Sequence, residues 1–193
     1  MKTGRSLPVG ILSLQGCVDP HAEHLKELGA DVRLVYAAKD LHGLRGLILP
    51  GGESTTMLKL AKEASDLWEP LKAKAIEIPF WGICAGAILM ANEVENPSQD
   101  CLGAMQLKVR RNAYGSQLDS FQQNIELAEG QRVDAPAVFI RAPKFLSWGE
   151  GVCVAGTVNG EAVFLDDGRH MVTAFHPELT SSHWCHERFL HRL

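Results

Sequence analysis

Residues 9–14 form a short apolar run, the pattern of a strand buried on both faces. Residues 20–28 then read as a helix, closed by Gly29 in a C-cap role. Strands are predicted at 31–36 and 46–49, the second ending in the turn Pro50-Gly51-Gly52-Glu53-Ser54. Residues 55–64 read as a helix with apolar positions at Met57, Leu58, Leu60 and Ala61. A further helix is predicted at 66–76, a strand at 79–83, and an apolar helix at 85–94. Strands and helices alternating in this way predict a parallel sheet covered by helices on both faces.

The second half has a different rhythm. Residues 107–121 are polar and carry arginines, and Phe139 and Ile140 sit in another short strand. Strands at 152–158 and 161–165 flank Asn159-Gly160, a pair that suits a tight hairpin turn. A second turn, Asp166-Asp167-Gly168, leads into a strand at 169–175, and residues from about 181 to 193 read as a terminal helix. The expected fold is a three-layer α/β/α arrangement with a mostly parallel central sheet and a late antiparallel section. No linker interrupts the pattern, so residues 1–193 are expected to form one domain.

Composition narrows the class. A chain of 193 residues can bury roughly 70% of its extended surface without disulfides or a structural metal. Hydrophobic residues at 46% and charged residues at 22% exclude a disordered chain. The 19 basic and 23 acidic side chains leave a formal charge of −4, which argues against a nucleic-acid partner. The stretch from 79 to 92 is free of charge but too short to span a bilayer, and Pro79, Gly82 and Gly86 interrupt it. No membrane association is expected. The start MKTGRSLP lacks an apolar core of signal-peptide length, and five scattered cysteines suit reduced thiols, so a cytoplasmic location is expected.

The sharpest chemical feature is Gly82-Ile83-Cys84-Ala85-Gly86, between a buried strand and an apolar helix. It has the pattern of a nucleophile elbow with cysteine in the serine position. A helix N-terminus favours the thiolate, and the Ala85 N–H is placed to face a developing oxyanion. A Cys nucleophile needs a base and a group to orient it, and Phe175-His176-Pro177-Glu178 supplies both types. In an extended chain, residues two apart point the same way, so His176 and Glu178 are expected to face one site.

The turn Pro50-Gly51-Gly52-Glu53-Ser54 lies at the carboxyl end of a predicted parallel strand, where α/β folds bind ligands. It lacks the Gly-Lys-Ser/Thr ending of a phosphate loop. Glu53 suits an ammonium group. The Gly51-Gly52 peptide permits two backbone orientations, one of which offers an N–H to an oxyanion. Arg111 and Arg141 each suit a substrate carboxylate. His183, Cys185, His186 and His191 match no usual zinc spacing and fit the polar face of the terminal helix, so no metal is expected.

The strings LQG (14–16), PGGEST (50–55), GICAG (82–86) and FHPEL (175–179) resemble those of class I glutamine amidotransferases. RRNAYGSQLDSF (110–121) and FIRAP (139–143) are similar to segments of the glutaminase subunit of pyridoxal 5'-phosphate synthase. The resemblance runs in order from about residue 9 to the end. It implies that Cys84 attacks the side-chain amide of L-glutamine, that His176 moves the protons, and that Glu178 orients it. It also implies that Gly52, Glu53, Ser54, Arg111, Ile140 and Arg141 line the glutamine pocket, with Gly52 and Ala85 at the oxyanion. Ammonia would pass to a TIM-barrel synthase subunit in a hetero-oligomer, and this chain would need no cofactor. Cys17 and Pro20 stand where the family is richer in Ala and Glu, and Tyr114 where Phe is common. Three other readings stay open: a glutaminase subunit of another ammonia-channelling synthase, a stand-alone cysteine hydrolase of the same fold, and a non-catalytic regulatory module. An intact Cys84, His176 and Glu178 argues against the last.

Overall fold

A computed structural model of the chain describes residues 7–111, 121–128 and 135–193. Strand β1 (Pro8–Leu12), helix α1 (Val18–Glu27), β2 (Asp31–Val35) and β3 (Gly46–Leu49) follow the predicted alternation. Helix α2 (Ser54–Lys59) continues into a single wide π turn, Leu60–Ala64. Next come α3 (Trp68–Glu77), β4 (Phe80–Ile83) and α4 (Ala85–Met90). The later strands are β5 (Glu93–Glu95), β6 (Leu107–Arg110), β7 (Phe121–Asn124), β8 (Glu126–Leu127), β9 (Pro136–Phe139) and β10 (Lys144–Trp148). The chain closes with β11 (Cys153–Val158), β12 (Glu161–Asp166), β13 (Met171–Thr173) and α5 (Trp184–Leu190).

The main sheet has the order β2-β1-β3-β4-β13-β12-β11-β8. Neighbours from β2 to β13 pair in parallel, and those from β13 to β8 pair antiparallel. This is the expected mostly parallel sheet with an antiparallel section added late. β3 and β4 lie in its middle and are buried along their whole length, which is why both read as unbroken apolar runs. Leu47, Ile48, Leu49, Phe80, Trp81 and Ile83 are fully buried. Each such side chain contributes about 1.5–3 kcal/mol of hydrophobic stabilisation. Asn159 and Gly160 both have positive φ, +52° and +78°, as a type I′ turn between β11 and β12 requires.

Two predicted helices end early. The one expected over 85–94 stops at Met90, because Asn92 is tied to β6 from both sides. Its N–H donates to the Leu107 carbonyl at 3.1 Å, and its Oδ1 accepts from the Leu107 N–H at 2.7 Å. The chain then runs as β5, parallel to β6, with Glu93 paired to Lys108 at 2.6 Å and Glu95 to Arg110 at 2.7 Å. The helix expected over 55–64 loses its α geometry after Lys59; the Ser65 hydroxyl donates back to the Leu60 carbonyl where the π turn ends. Most of the predicted polar segment 107–121 falls on residues 112–120, outside the described residues. No helix among the described residues is long and apolar enough to cross a membrane.

Candidate active site

β4 delivers Cys84 at the carboxyl edge of the sheet, and α4 starts one residue later. Cys84 has φ +47° and ψ −99°, a strained backbone for a non-glycine residue. Its N–H is held by the Thr173 carbonyl of β13 at 2.8 Å. The flanking glycines are needed for space. A Cβ on Gly86 would lie 1.9 Å from the Leu49 carbonyl oxygen, and one on Gly82 would lie 2.7 Å from the Gly86 backbone and the Met90 sulfur. The tight turn therefore forms only because helix and strands touch through bare backbone.

His176 follows β13 and is pinned from the side. Its N–H donates to the Val138 carbonyl of β9 at 2.7 Å, and Phe175 packs on Phe139 with ring centroids 5.7 Å apart. Glu178 reaches His176 by a different route from the one expected. Residues Pro177–Leu179 form a 3-10 turn, not an extended strand, and this turn wraps the carboxylate back onto the ring. His176 Nδ1 and Glu178 Oε1 are 2.7 Å apart, and both residues are buried. Cys84 and His176 line the same cleft. Burial opposes a charge on the imidazole, but the neighbouring Cys84 side chain and Glu178 carboxylate outweigh it and push His176 up to about 10. Burial pushes Glu178 up; the facing His21 and His176 imidazoles outweigh that and leave its carboxyl below the ordinary range. Burial lowers His21 to about 4, so at neutral pH the positive charge facing Glu178 belongs to His176.

One cleft of about 300 Å³ is lined by Gly52, Glu53, Ser54, Cys84, Ala85, Arg111, Ile140, Arg141 and His176. Every site residue expected from the sequence borders it except Glu178, which stands behind His176. Glu53 caps α2, its carboxylate accepting from the Thr55 and Thr56 amides at 3.2 and 2.6 Å. Arg111 adds an ion pair to the same carboxylate at 3.2 Å. The Ser54 hydroxyl donates to Gln99 Oε1 at 2.9 Å. Arg141 holds φ +46° just beyond β9. Gly51 and Gly52 do not adopt positive φ; what they provide is room. A Cβ on Gly51 would meet His176 Cε1 at 2.2 Å, and one on Gly52 would meet Gln15 Oε1 at 2.6 Å.

Gln15, Cys17 and Ile88 also line the cleft; in the sequence Cys17 stands out only as a departure from the family pattern, and Gln15 and Ile88 carry no individual signal. Gln15 Oε1 accepts the Glu53 N–H at 2.8 Å, a contact that only the meeting of β1 and β3 creates. Donor atoms of Cys17, His176 and Glu178 lie within 4.8 Å of one another, a spacing compatible with a metal ion. His176 Nδ1, however, is already engaged by Glu178. Of the C-terminal group, His186 bonds His21 at 2.9 Å, and His183 bonds His24 and faces Glu27. Cys185 is fully buried, and burial pushes its thiol well up. A larger groove, about 650 Å³, passes Lys62, Trp68 and Lys72. Both lysines there are already paired, with Asp100 and Glu69.

Comparison with known proteins places this geometry. A protein of Thermosipho africanus named pyridoxal 5'-phosphate synthase subunit PdxT is 44% identical over 185 residues, 95% of this chain and 97% of that protein. The protein of the same name from Deinococcus radiodurans is 44% identical over 190 residues, 95% and 96% of the two chains. A crystal structure described as a glutamine amidotransferase superposes with a TM-score of 0.87 at 40% identity, covering 95% of this chain and 97% of that one. A crystal structure from Thermoplasma acidophilum, described as a GMP synthase component, shares the fold at a TM-score of 0.68 and 17% identity, covering 97% of this chain and 94% of that one. The model of the SNO glutamine amidotransferase family matches residues 11–193, and a cysteine elbow beside a buried His–Glu pair fits its chemistry: the chain belongs to that family.

Proposed function

We propose that the chain, as a single domain, hydrolyses L-glutamine to L-glutamate and ammonia and supplies that ammonia to a TIM-barrel subunit making pyridoxal 5'-phosphate. The observation that carries this reading is the Cys84 elbow beside the 2.7 Å His176–Glu178 pair in one cleft. The names of its relatives favour pyridoxal 5'-phosphate synthesis over other ammonia-consuming reactions. Cys84 Sγ attacks the side-chain amide carbon, and the carbonyl electrons move onto oxygen, to which the Ala85 and Gly52 N–H groups donate hydrogen bonds. Collapse of that intermediate breaks the C–N bond. His176 passes its proton to the departing nitrogen, leaving ammonia and a glutamyl thioester. Water, deprotonated by His176, then attacks the thioester carbonyl; the C–S bond breaks, glutamate leaves, and the Cys84 sulfur is freed beside the reprotonated His176. Glu178 holds the imidazole through Nδ1 and stabilises its positive form. Glu53 takes the substrate's α-ammonium, and Arg111 and Arg141 its α-carboxylate, with Ser54 and Ile140 completing the wall. The chain itself needs no cofactor for these steps, and reduced thiols fit a cytoplasmic setting.

Purified chain mixed with such a synthase subunit, pentose phosphate and triose phosphate tests the reading. Wild type is expected to support pyridoxal phosphate formation from glutamine. Cys84→Ala is expected to support it from ammonium salt only, because the nucleophile is lost and the ammonia-consuming step is not. Pyridoxal phosphate formed from glutamine by Cys84→Ala would mean the nucleophile lies elsewhere. No stimulation of a barrel subunit by wild type, with free glutaminase activity intact, would remove that partner.

A further inference from the structure

The second oxygen of Glu178 has an unassigned neighbour. His21, on α1, is fully buried, and its Nε2 lies 3.6 Å from Glu178 Oε2. Neither atom has a hydrogen-bond partner among the described residues. The other nitrogen, His21 Nδ1, meets His186 Nε2 of α5 at 2.9 Å. Trp81 of β4 stands edge-on to both rings, with centroids 5.5 and 5.0 Å away, and His24 stacks on His186 at 4.4 Å. This places a His pair from the two ends of the chain directly behind the candidate catalytic carboxylate.

The protons can be assigned by elimination. His21 and His186 are both lowered by burial and neutral at pH 7, so each carries one N–H and one lone pair. Only one of the two supplies the hydrogen in their 2.9 Å contact. Were His21 Nδ1 the donor, its Nε2 lone pair would face a carboxylate oxygen, and the proton of His186 would sit on Nδ1, a buried atom with no partner among the described residues. With His186 Nε2 as the donor, the His21 proton sits on Nε2 and points at Glu178, and the only orphan of the pair is a lone pair. A buried orphan N–H together with a lone pair facing an anion is the costlier arrangement.

We infer that His21 is a positioning residue, its Nε2–H held on Glu178 Oε2, so that the series runs His186→His21→Glu178←His176, with His176 sharing the cleft with Cys84. The 3.6 Å gap is one that closes when substrate completes the site, since such contacts tighten in the reacting complex. With one oxygen on each imidazole, the carboxylate cannot swing away from His176. The groups facing Glu178 are His176, His21 and Cys17, and those facing His21 are Glu178, His176, His186 and His24.

The inference rests on the glutaminase reading, and wild-type activity in the assembled complex tests that reading first. His21→Leu removes the donor and keeps bulk. It is expected to lower kcat about tenfold with KM for glutamine unchanged, the loss of one hydrogen bond felt in the transition state. The alkaline limb of the pH profile is expected to move up, because a carboxylate with one donor fewer pulls harder on His176. His21→Gln returns an N–H near the Nε2 position and is expected to restore most of kcat and the original limb. Wild-type kcat and pH profile in His21→Leu, or equal losses in Leu and Gln with the limb unmoved, would overturn the inference. Nitrogen-15 shifts of the wild-type chain give a second test that needs no variant to fold. They are expected to report His21 protonated on Nε2, and a proton on Nδ1 would overturn the assignment.

Discussion

In the proposed reaction Cys84, His176 and Glu178 divide the chemistry by position, and the division has measurable consequences. His176 shares the cleft with Cys84 and is hydrogen-bonded to the Glu178 carboxylate, whereas Glu178 stands behind the imidazole and does not border the cleft. His176→Asn leaves nothing to carry protons and is expected to cost on the order of 10²–10⁴ in kcat. Glu178→Gln keeps the shape and loses charge-assisted hydrogen bonding, about 1.5–3 kcal/mol or about ten- to a hundredfold in rate. Steady-state ammonia release measures both, and a Glu178→Gln loss as large as that of His176→Asn would reverse the assigned roles. The identities of these residues are legible in the sequence because their requirements are local: a cysteine between two glycines, and a His-Pro-Glu triplet. The geometry of the triplet is not legible, because alternation assumes an extended chain and Pro177 begins a 3-10 turn. His21 gives no local signal at all. Its meaning depends on His186, 165 residues away along the chain.

At the scale of elements, legibility follows what each segment packs against. β3 and β4 are buried on both faces, so composition alone marks them. β5 is invisible in its own residues, since Glu93 and Glu95 become a strand only through Lys108 and Arg110 of β6. The helix predicted over 85–94 runs through it for that reason. α4 is set by a different constraint, the contact of Gly86 with β3. A single methyl there would lie 1.9 Å from the Leu49 carbonyl oxygen, and backbone cannot yield as a side-chain tip does. Gly86→Ala is therefore expected to destabilise the fold by about 1–3 kcal/mol through overpacking. In a chain of this size each kcal/mol lowers Tm by about 2–4 °C. The same shift displaces Cys84, so glutaminase activity is expected to fall together with Tm. Calorimetry and an activity assay on one preparation check both. An unchanged Tm with full activity would show that α4 and β3 are not in this close contact.

The whole molecule responds to pH and to its partner through groups already placed. His21 is held at about 4 against an ordinary value near 6.5, so as pH falls from 6.5 toward 4 the unfolded chain gains a proton that the folded one refuses. Stability is lost over that window, by about 3 kcal/mol from this group alone. His176, raised to about 10, works in the other direction: its stabilisation is complete below 6.5 and is lost as pH climbs toward 10. Urea midpoints are expected to peak near pH 6.5 and fall on both sides, and a flat profile between pH 4.5 and 9 would contradict both assignments. The proposed control by the synthase partner turns on a smaller energy. The peptide joining Gly51 to Gly52 carries the N–H assigned to the oxyanion, and its carbonyl oxygen accepts the Cys17 N–H at 3.0 Å. Gly16 leaves no space there, since a Cβ on it would lie 2.1 Å from that same oxygen. The segment Gln15-Gly16-Cys17 thus fixes the orientation of this peptide, and turning it over requires breaking one hydrogen bond of about 0.5–1.5 kcal/mol. A tenfold change in rate needs only about 1.4 kcal/mol of bias between two such orientations. A partner that docks on the carboxyl edge of the sheet and moves residues 15–17 by a fraction of an ångström has that much leverage. The isolated chain is accordingly expected to hydrolyse glutamine slowly and to gain tenfold or more with the synthase subunit. Gly51→Val, whose side chain enters the space of the His176 ring, is expected to lower that activated rate far more than it weakens partner binding measured by calorimetry. Full activity in the isolated chain, unchanged by the synthase subunit, would sink the peptide switch and leave the Cys84–His176–Glu178 assignment standing.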